Sequence, residues 1–107
     1  MNDPQTIQEL MNYIAERYAF TEEKYPELRL LDEQGRYAFA VRHLGIHFAK
    51  TAGKIVTVSE AVDHGGAIDE ESLKVDVAKS LLSTLRLAEL LHMNTDDLVS
   101  RIKQYVK

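Results

Sequence analysis

The chain of 107 residues is long enough for one domain with a modest core, and its 45% hydrophobic and 28% charged residues are ordinary for a globular protein. It has no cysteine, which excludes disulfides and thiolate metal sites, and its net charge of −4 argues against a nucleic-acid partner. With no apolar run of roughly 20 residues and no secretory signal pattern, we expect a single cytoplasmic domain over residues 1–107 without a membrane partner.

The first predicted helix has a favourable start, with Asp3 as its N-cap and Pro4 in its first helical position. Apolar residues then recur at helical spacing, namely Ile7, Leu10, Met11, Ile14 and Tyr18. Residues 19–34 are predicted to be a connection, because helical backbone is disfavoured immediately before Pro26.

The longest pattern in the chain predicts a long second helix. Its residues alternate in steps of four and three, a seam typical of a helix that packs nearly parallel to others: Tyr37, Val41, Leu44, Phe48, Thr51, Ile55, Val58 and Val62. The pattern stops at Gly65 and Gly66, a usual helix end. Residues 28–40 also fit a strand, a turn and a second strand, but the seam that begins at Tyr37 favours helix.

A third helix is predicted to begin at Asp69, which can serve as its N-cap. It has an apolar stripe of Leu73, Val77, Leu81, Leu85 and Ala88, and further apolar residues widen this surface beyond one face. A helix that is apolar around so much of its circumference is either central or buried in an oligomer. We therefore expect the protein to form a homodimer or a larger homo-oligomer.

Asn94 is predicted to cap a fourth helix, whose buried face would consist of Leu98, Ile102 and Tyr105. Together these elements predict an all-α fold, a four-helix bundle with two long central helices.

Two segments of the sequence resemble the MazG-like all-α nucleoside triphosphate pyrophosphohydrolases. The Leu-rich run 85–94, followed by two acids, is similar to the end of the third helix and the cap of the fourth in that family. Residues 49–55, with the sequence Ala-Lys-Thr-Ala-Gly-Lys-Ile, resemble the family's second-helix motif. The resemblance covers roughly residues 37–103 and implies an oligomeric helical fold. It also implies that Mg²⁺, held by the motifs Glu-Glu-x-x-Glu and Glu-x-x-Asp, clamps a triphosphate while water attacks phosphorus.

This chain departs from the family at the positions of those acids. The first motif's acids fall on Lys50, Thr51 and Lys54, and the second motif's fall on Asp76 and Lys79. One carboxylate among several cations cannot organise an octahedral Mg²⁺ site. The resemblance thus indicates a degenerate member with no confident catalytic residue and no expected cofactor, with Mg²⁺ as the implied metal if activity persists.

The lysines at these positions have two interpretations. They can pair with Asp76 or point to solvent, which is the ordinary role of surface lysines. They can also bind phosphate or another anion directly, because lysine acts as a point charge on phosphates. A nucleotide or phosphate is therefore a candidate ligand.

Two other groups of residues could ligate a metal. His43 and His47 are four residues apart on one helical face, and two such imidazoles can chelate a transition metal with help from Asp63 and His64. Glu60 and Asp63 form a Glu-x-x-Asp pair, which could replace lost ligands. Surface roles are the ordinary interpretation of both groups.

Three functions stay open from the sequence. The first is a MazG-like fold with a degenerate Mg²⁺ site that now serves as a binding or regulatory protein. The second is an active pyrophosphohydrolase with shifted ligands, and the third is an unrelated helical interaction module. The scarcity of acids in the two central helices favours the first.

Overall fold

The computed structural model describes residues 3–106; residues 1, 2 and 107 of the predicted domain lie outside this range. The elements in chain order are four α-helices and one 3-10 helix: α1 (Ile7–Arg17), the 3-10 helix (Pro26–Leu30), α2 (Glu33–Asp63), α3 (Glu70–Leu90) and α4 (Thr95–Tyr105). Within residues 3–106 there is no strand, so the predicted all-α fold is confirmed and the hairpin alternative for residues 28–40 is wrong.

Side-chain caps define where the helices begin. Asp69 accepts a hydrogen bond from the amide of Ser72, and Asn94 forms a reciprocal capping box with Asp97, so both predicted caps are confirmed. The predicted start of α1 at Asp3 is wrong. Thr6 caps α1 instead, because its hydroxyl accepts the amide hydrogen of Glu9 at 3.1 Å.

The link between the two long helices is a glycine turn, as predicted. α2 ends at Asp63, and Gly65 follows with a φ of 87°, a left-handed conformation that suits glycine. The amide of Gly66 then donates to the carbonyl of Ala61 at 2.8 Å and satisfies an otherwise unpaired helix-end acceptor. This turn reverses the chain, so α3 runs back antiparallel along α2.

The core lies where α1 packs against α3. Met11 and Ile14 of α1 meet Leu85 and Ala88 of α3, and partly buried residues surround them: Leu10, Leu82, Met93 and Leu98. α2 packs along α3, so the C-terminal half of α3 is enclosed while its N-terminal half is covered by α2 alone.

Several apolar residues that the sequence predicted to be buried are exposed. Val77 is 54% exposed and Leu81 is 45% exposed, because both precede the part of α3 that α1 covers. On α4, Ile102 is 58% exposed and Tyr105 is 85% exposed. On α2 the buried residues are Ala40, Leu44 and Thr51, and the predicted seam is wrong at three members that are exposed: Tyr37, Phe48 and Val62. Periodicity identified apolar faces but not how far a partner helix reaches along them.

In the part of the chain that the structure describes, no helix is long and apolar enough to cross a membrane.

Candidate functional site

A cavity of about 460 Å³ opens between α2, α3 and the segment that follows α1. This volume lies within the usual range of small-molecule sites. Polar and charged side chains from all three elements line the cavity: Lys24, Tyr25, His43, His47, Lys50, Thr51, Lys54, Lys79, Ser83 and Arg86. The cavity therefore brings together Lys50, Thr51, Lys54 and Lys79. These are four of the five positions at which the family resemblance implies metal-binding acids.

The α2 wall of the cavity carries a straight row of basic side chains. His43, His47, Lys50 and Lys54 are spaced by four, three and four residues, which places them on one helical face. Beside this row Thr51 is 7% exposed, and its hydroxyl donates to the carbonyl of His47 at 3.0 Å. The row therefore faces the cavity because the neighbouring buried face of α2 packs toward α3.

On the α3 wall, a buried arginine fixes the segment that follows α1. Arg86 Nε donates to the carbonyl of Tyr18 at 3.2 Å, and the guanidinium also pairs with Glu89. The guanidinium carbon lies 5.3 Å from the centre of the Phe20 ring. Arg86 thus holds residues 18–20 against α3 while it contributes positive charge to the cavity.

Aromatic rings close one end of the cavity. The Tyr25 hydroxyl lies 3.2 Å from His43 Nε2, within hydrogen-bonding distance. The Phe20 and Tyr25 ring centres each lie near that of His43, at 5.6 and 5.0 Å, and Phe39 stacks on the imidazole at 5.8 Å. His47 lies on the other side of His43, with 4.6 Å between ring centres. This end is therefore both apolar and able to donate hydrogen bonds.

The cavity has an uncompensated positive charge. Among residues 3–106, Lys50, Lys54 and Lys79 form no ion pair, and none of the side chains lining the cavity is a carboxylate. Lys24 Nζ donates to a backbone carbonyl, that of Arg17, at 3.1 Å. Lysines that line one cavity without a counter-charge among its lining residues favour an anion as the occupant.

Asp76, the one acid among the five positions to which the resemblance points, is 7% exposed on α3 and does not line the cavity. It forms no ion pair with any residue in the range 3–106, so the pairing with the three lysines that the sequence allowed is not seen. Lys50, Lys54 and Lys79 are instead exposed to solvent, as the ordinary surface interpretation allowed, and this exposure leaves them accessible to a ligand.

The candidate metal ligands from the sequence do not form one site. His43 and His47 lie in the cavity, whereas Glu60 is some 17 residues further along α2, about 25 Å at about 1.5 Å per residue. Asp63 lines a separate cavity of about 270 Å³ near the end of α2. Over residues 3–106 no group of three or more histidine or carboxylate side chains is close enough to hold a metal.

The environment of His43 disfavours its protonated form. Burial lowers the pKa of this imidazole, the neighbouring His47 lowers it further, and Glu27 opposes these effects. The neutral imidazole of His43 is therefore favoured in the ligand-free protein.

We expect this lowered pKa to make stability depend on pH in the ligand-free protein. In the unfolded chain His43 takes up a proton as the pH falls below about 6.5, whereas in the folded protein it does so only at a lower pH. The free energy of unfolding therefore falls as the pH decreases from about 6.5 toward the pKa of folded His43. Urea denaturation across this range should show a shallower decrease for His43→Gln than for the unaltered protein. The exposed His64 provides the control: His64→Gln should keep the original slope, and equal slopes for all three proteins would contradict the prediction.

Sequence reasoning missed Phe20, Tyr25, Lys24 and Arg86 as cavity residues. The first three lie in a stretch that the sequence predicted only as a connection, and their approach to α2 depends on tertiary packing. Arg86 could have been singled out from the sequence, because it is a charged residue between Leu85 and Leu87 in an otherwise apolar run. A charged side chain that is buried in such a run requires a partner.

Comparisons of the chain with protein-family models, with curated proteins and with solved structures find no match in any of the three. The function must therefore be inferred from the residues of the cavity.

Proposed function

We propose that the protein is a non-catalytic, MazG-like helical protein that binds a phosphate-bearing ligand, such as a nucleotide, through lysines and without a metal. The observation that carries this proposal is the cluster of Lys50, Lys54 and Lys79 in one cavity, without an ion pair to any residue in the range 3–106. Lysine provides a mobile point charge with three donors, which suits phosphate oxygens.

The resemblance noted in the sequence supports the same proposal. The positions that would hold Mg²⁺ through carboxylates in a MazG-like enzyme carry lysine and threonine here. Mg²⁺ is bound by hard oxygen ligands and is repelled by ammonium groups. We infer that positive side chains have taken over the role of the metal in neutralising phosphate, while the ability to activate water has been lost.

The size and composition of the cavity fit a small organic anion. A volume of about 460 Å³ exceeds what one phosphate needs. The aromatic end formed by Phe20, Tyr25 and His43 offers ring faces and edges to an apolar or planar group. A ligand with a phosphate part and a planar part therefore has a complementary surface for each.

Thermal denaturation tests the binding proposal directly. A nucleoside triphosphate in EDTA should raise the melting temperature, because a ligand that binds only the folded state stabilises it. This increase should be lost in Lys50→Ala and kept in the matched control Lys103→Ala, which removes an exposed lysine of α4. An absence of any shift with nucleotides, pyrophosphate or phosphate would refute the proposal.

A hydrolysis assay tests the absence of catalysis. With Mg²⁺ or Mn²⁺ present, the protein should release no pyrophosphate from nucleoside triphosphates above the uncatalysed background. Metal-dependent release that is abolished by Asp76→Asn would instead establish an enzyme with shifted ligands, and the non-catalytic proposal would then be wrong.

We also propose that the protein self-associates through the uncovered part of the α2–α3 hairpin. Large apolar side chains are exposed there on both helices and on the turn between them: Val56, Val62, Ile68, Val75, Val77 and Leu81. Each of these helices is covered in this region only by the other, so an apolar surface is left open to water. Exposed apolar patches of this kind mark interfaces.

We therefore expect light scattering at micromolar concentration to give the mass of a dimer or a larger assembly. Val77→Glu should shift the protein toward the monomer, because a carboxylate is costly to bury in an apolar contact. The exposed Val99 of α4 serves as the control site, and Val99→Glu should leave the mass unchanged. A single-chain mass for the unaltered protein would contradict self-association.

A further inference from the structure

Part of the segment between α1 and α2 covers the aromatic end of the cavity and is attached there by few contacts. Of residues 21–27, which we call the strap, only Tyr25 is not exposed. The backbone hydrogen bonds of the strap are local, because the amide of Tyr25 donates to the carbonyl of Thr21 at 2.9 Å and the amide of Leu28 donates to the carbonyl of Tyr25 at 3.0 Å. Over residues 3–106, no backbone hydrogen bond joins the strap to α2 or α3. The position of the strap on the cavity therefore depends on side chains.

The chain is firmly held on both sides of the strap but weakly held within it. Before the strap, Arg86 Nε donates to the carbonyl of Tyr18, and after the strap Leu28 is 1% exposed. Between these two points, Glu22 forms an ion pair with Arg36 of α2 at 2.6 Å. The two side chains are 45% and 41% exposed, and exposed ion pairs contribute little to stability. The strap is thus a short loop between two fixed points.

Tyr25 is the residue that holds the strap against α2. Its hydroxyl lies 3.2 Å from His43 Nε2, and its ring centre lies 5.0 Å from that of His43 and 5.4 Å from that of Phe39. Lys24 Nζ donates to the end of α1 rather than to α2. Apart from the exposed ion pair of Glu22, the hydrogen bond between Tyr25 and His43 is the one polar contact of the strap with α2 among residues 3–106. Tyr25 and His43 both line the cavity, so this contact lies at its edge.

In this closed position, no planar group fits between Tyr25 and α2. A flat group makes van der Waals contact at about 3.5 Å on each face, so two rings that enclose it lie at least about 7 Å apart. The centre of the Tyr25 ring is only 5.0 Å from that of His43 and 5.4 Å from that of Phe39. A planar group therefore reaches the faces of these rings only after the strap has moved outward by roughly 2 Å.

We propose that the strap moves between a closed position, held by the contact of Tyr25 with His43, and an open position that admits a planar group between the two rings. The fixed points at Tyr18 and Leu28 make this a local movement that leaves the helices in place. The inference rests on the proposed function only for the nature of the ligand, and it adds how that ligand enters the cavity.

NMR relaxation dispersion of the ligand-free protein tests the strap directly, because it detects minor conformations that exchange in microseconds to milliseconds. Amides of residues 21–27 should show such exchange, and amides of residues 85–88 in the core should not. Tyr25→Phe keeps the ring and removes the hydroxyl. This variant should raise the ratio of open to closed positions roughly threefold to tenfold, the factor expected for the loss of one net hydrogen bond.

The matched control is Tyr105→Phe, because the Tyr105 side chain is 85% exposed on α4. This variant should leave the open population unchanged. Exchange that is absent from residues 21–27 of the unaltered protein would overturn the proposal. Equal open populations in Tyr25→Phe and in the unaltered protein would also overturn it, since the contact with His43 would then hold nothing closed.

The same measurement with ligands in EDTA tests what the strap admits. A saturating nucleoside triphosphate should suppress the exchange of residues 21–27, because its planar part, held between Tyr25 and His43, fixes the strap in the open position. Pyrophosphate has no planar part and should leave the exchange as in the free protein. A triphosphate that binds without affecting the strap, or pyrophosphate that suppresses the exchange equally, would overturn the proposal. If no phosphate compound binds while residues 21–27 exchange as predicted, the proposed function would be refuted and the movement of the strap would be supported.

Discussion

Leu85→Ala should destabilise the protein by about 2–5 kcal/mol, the usual cost of truncating a buried leucine. Leu85 is 5% exposed and packs with Met11 and Ile14 of α1 and with Ala88 of its own helix. Removing its branched end leaves a cavity where α1 and α3 meet. Because a domain of this size has a modest total stability, the melting temperature should fall by on the order of 10 °C or more.

The matched control is Ile102→Ala, which removes the same number of carbon atoms from a side chain that is 58% exposed on α4. This variant should change the free energy of unfolding by no more than about 0.5 kcal/mol. Urea denaturation of both variants measures the difference. If Ile102→Ala costs as much as Leu85→Ala, then α4 packs more deeply than the structure shows and the described core is wrong.

Lys54→Glu should lower the affinity for a nucleoside triphosphate by on the order of 100-fold, because it removes a charge-assisted contact and places a like charge beside the ligand. The free protein should keep its stability or gain some. Lys50, Lys54 and Lys79 form no ion pair among residues 3–106, and a carboxylate between them relieves their mutual repulsion.

A loss of affinity in Lys54→Glu without a loss of stability would show that the substitution acts on binding and not on folding. Affinity is measured by calorimetry and stability by denaturation of the same preparation without ligand. Lys103→Glu, on exposed α4, should leave the affinity within about threefold of the original, since distant surface charges are screened. A Lys54→Glu variant that binds normally would show that the α2 row does not contact the ligand.

Local signals predicted most of the helical framework. The Asp69 and Asn94 caps and the glycine turn at Gly65 were readable because each depends on residues adjacent in sequence. The start of α1 was predicted wrongly although its signal is also local: Asp3 before Pro4 is a good N-cap pattern, but Thr6 followed three residues later by Glu9 is the pattern that the helix uses. By contrast, the apolar pattern could not predict that α1 covers Leu85 but not Leu81, which lies one turn earlier on α3.

The candidate site was predictable on α2 and α3 but not at its aromatic end. The resemblance noted in the sequence pointed to Lys50, Lys54 and Lys79, and helical spacing places His43 and His47 in line with the α2 lysines. The contribution of residues 20–25 was not predictable, because it depends on the contact of Tyr25 with His43 and of Arg86 with the backbone of Tyr18. Those contacts join residues far apart in sequence, and no local pattern encodes them.

The central claim is that lysines replace the metal in phosphate binding, and titration of one nucleoside triphosphate in EDTA and in excess Mg²⁺ tests it most directly. We predict that binding in EDTA is at least as tight as binding with Mg²⁺, because the metal neutralises the phosphate charge that Lys50, Lys54 and Lys79 would otherwise contact. Binding that occurs only when Mg²⁺ is present would contradict the claim, because it would require metal ligands that this cavity does not have.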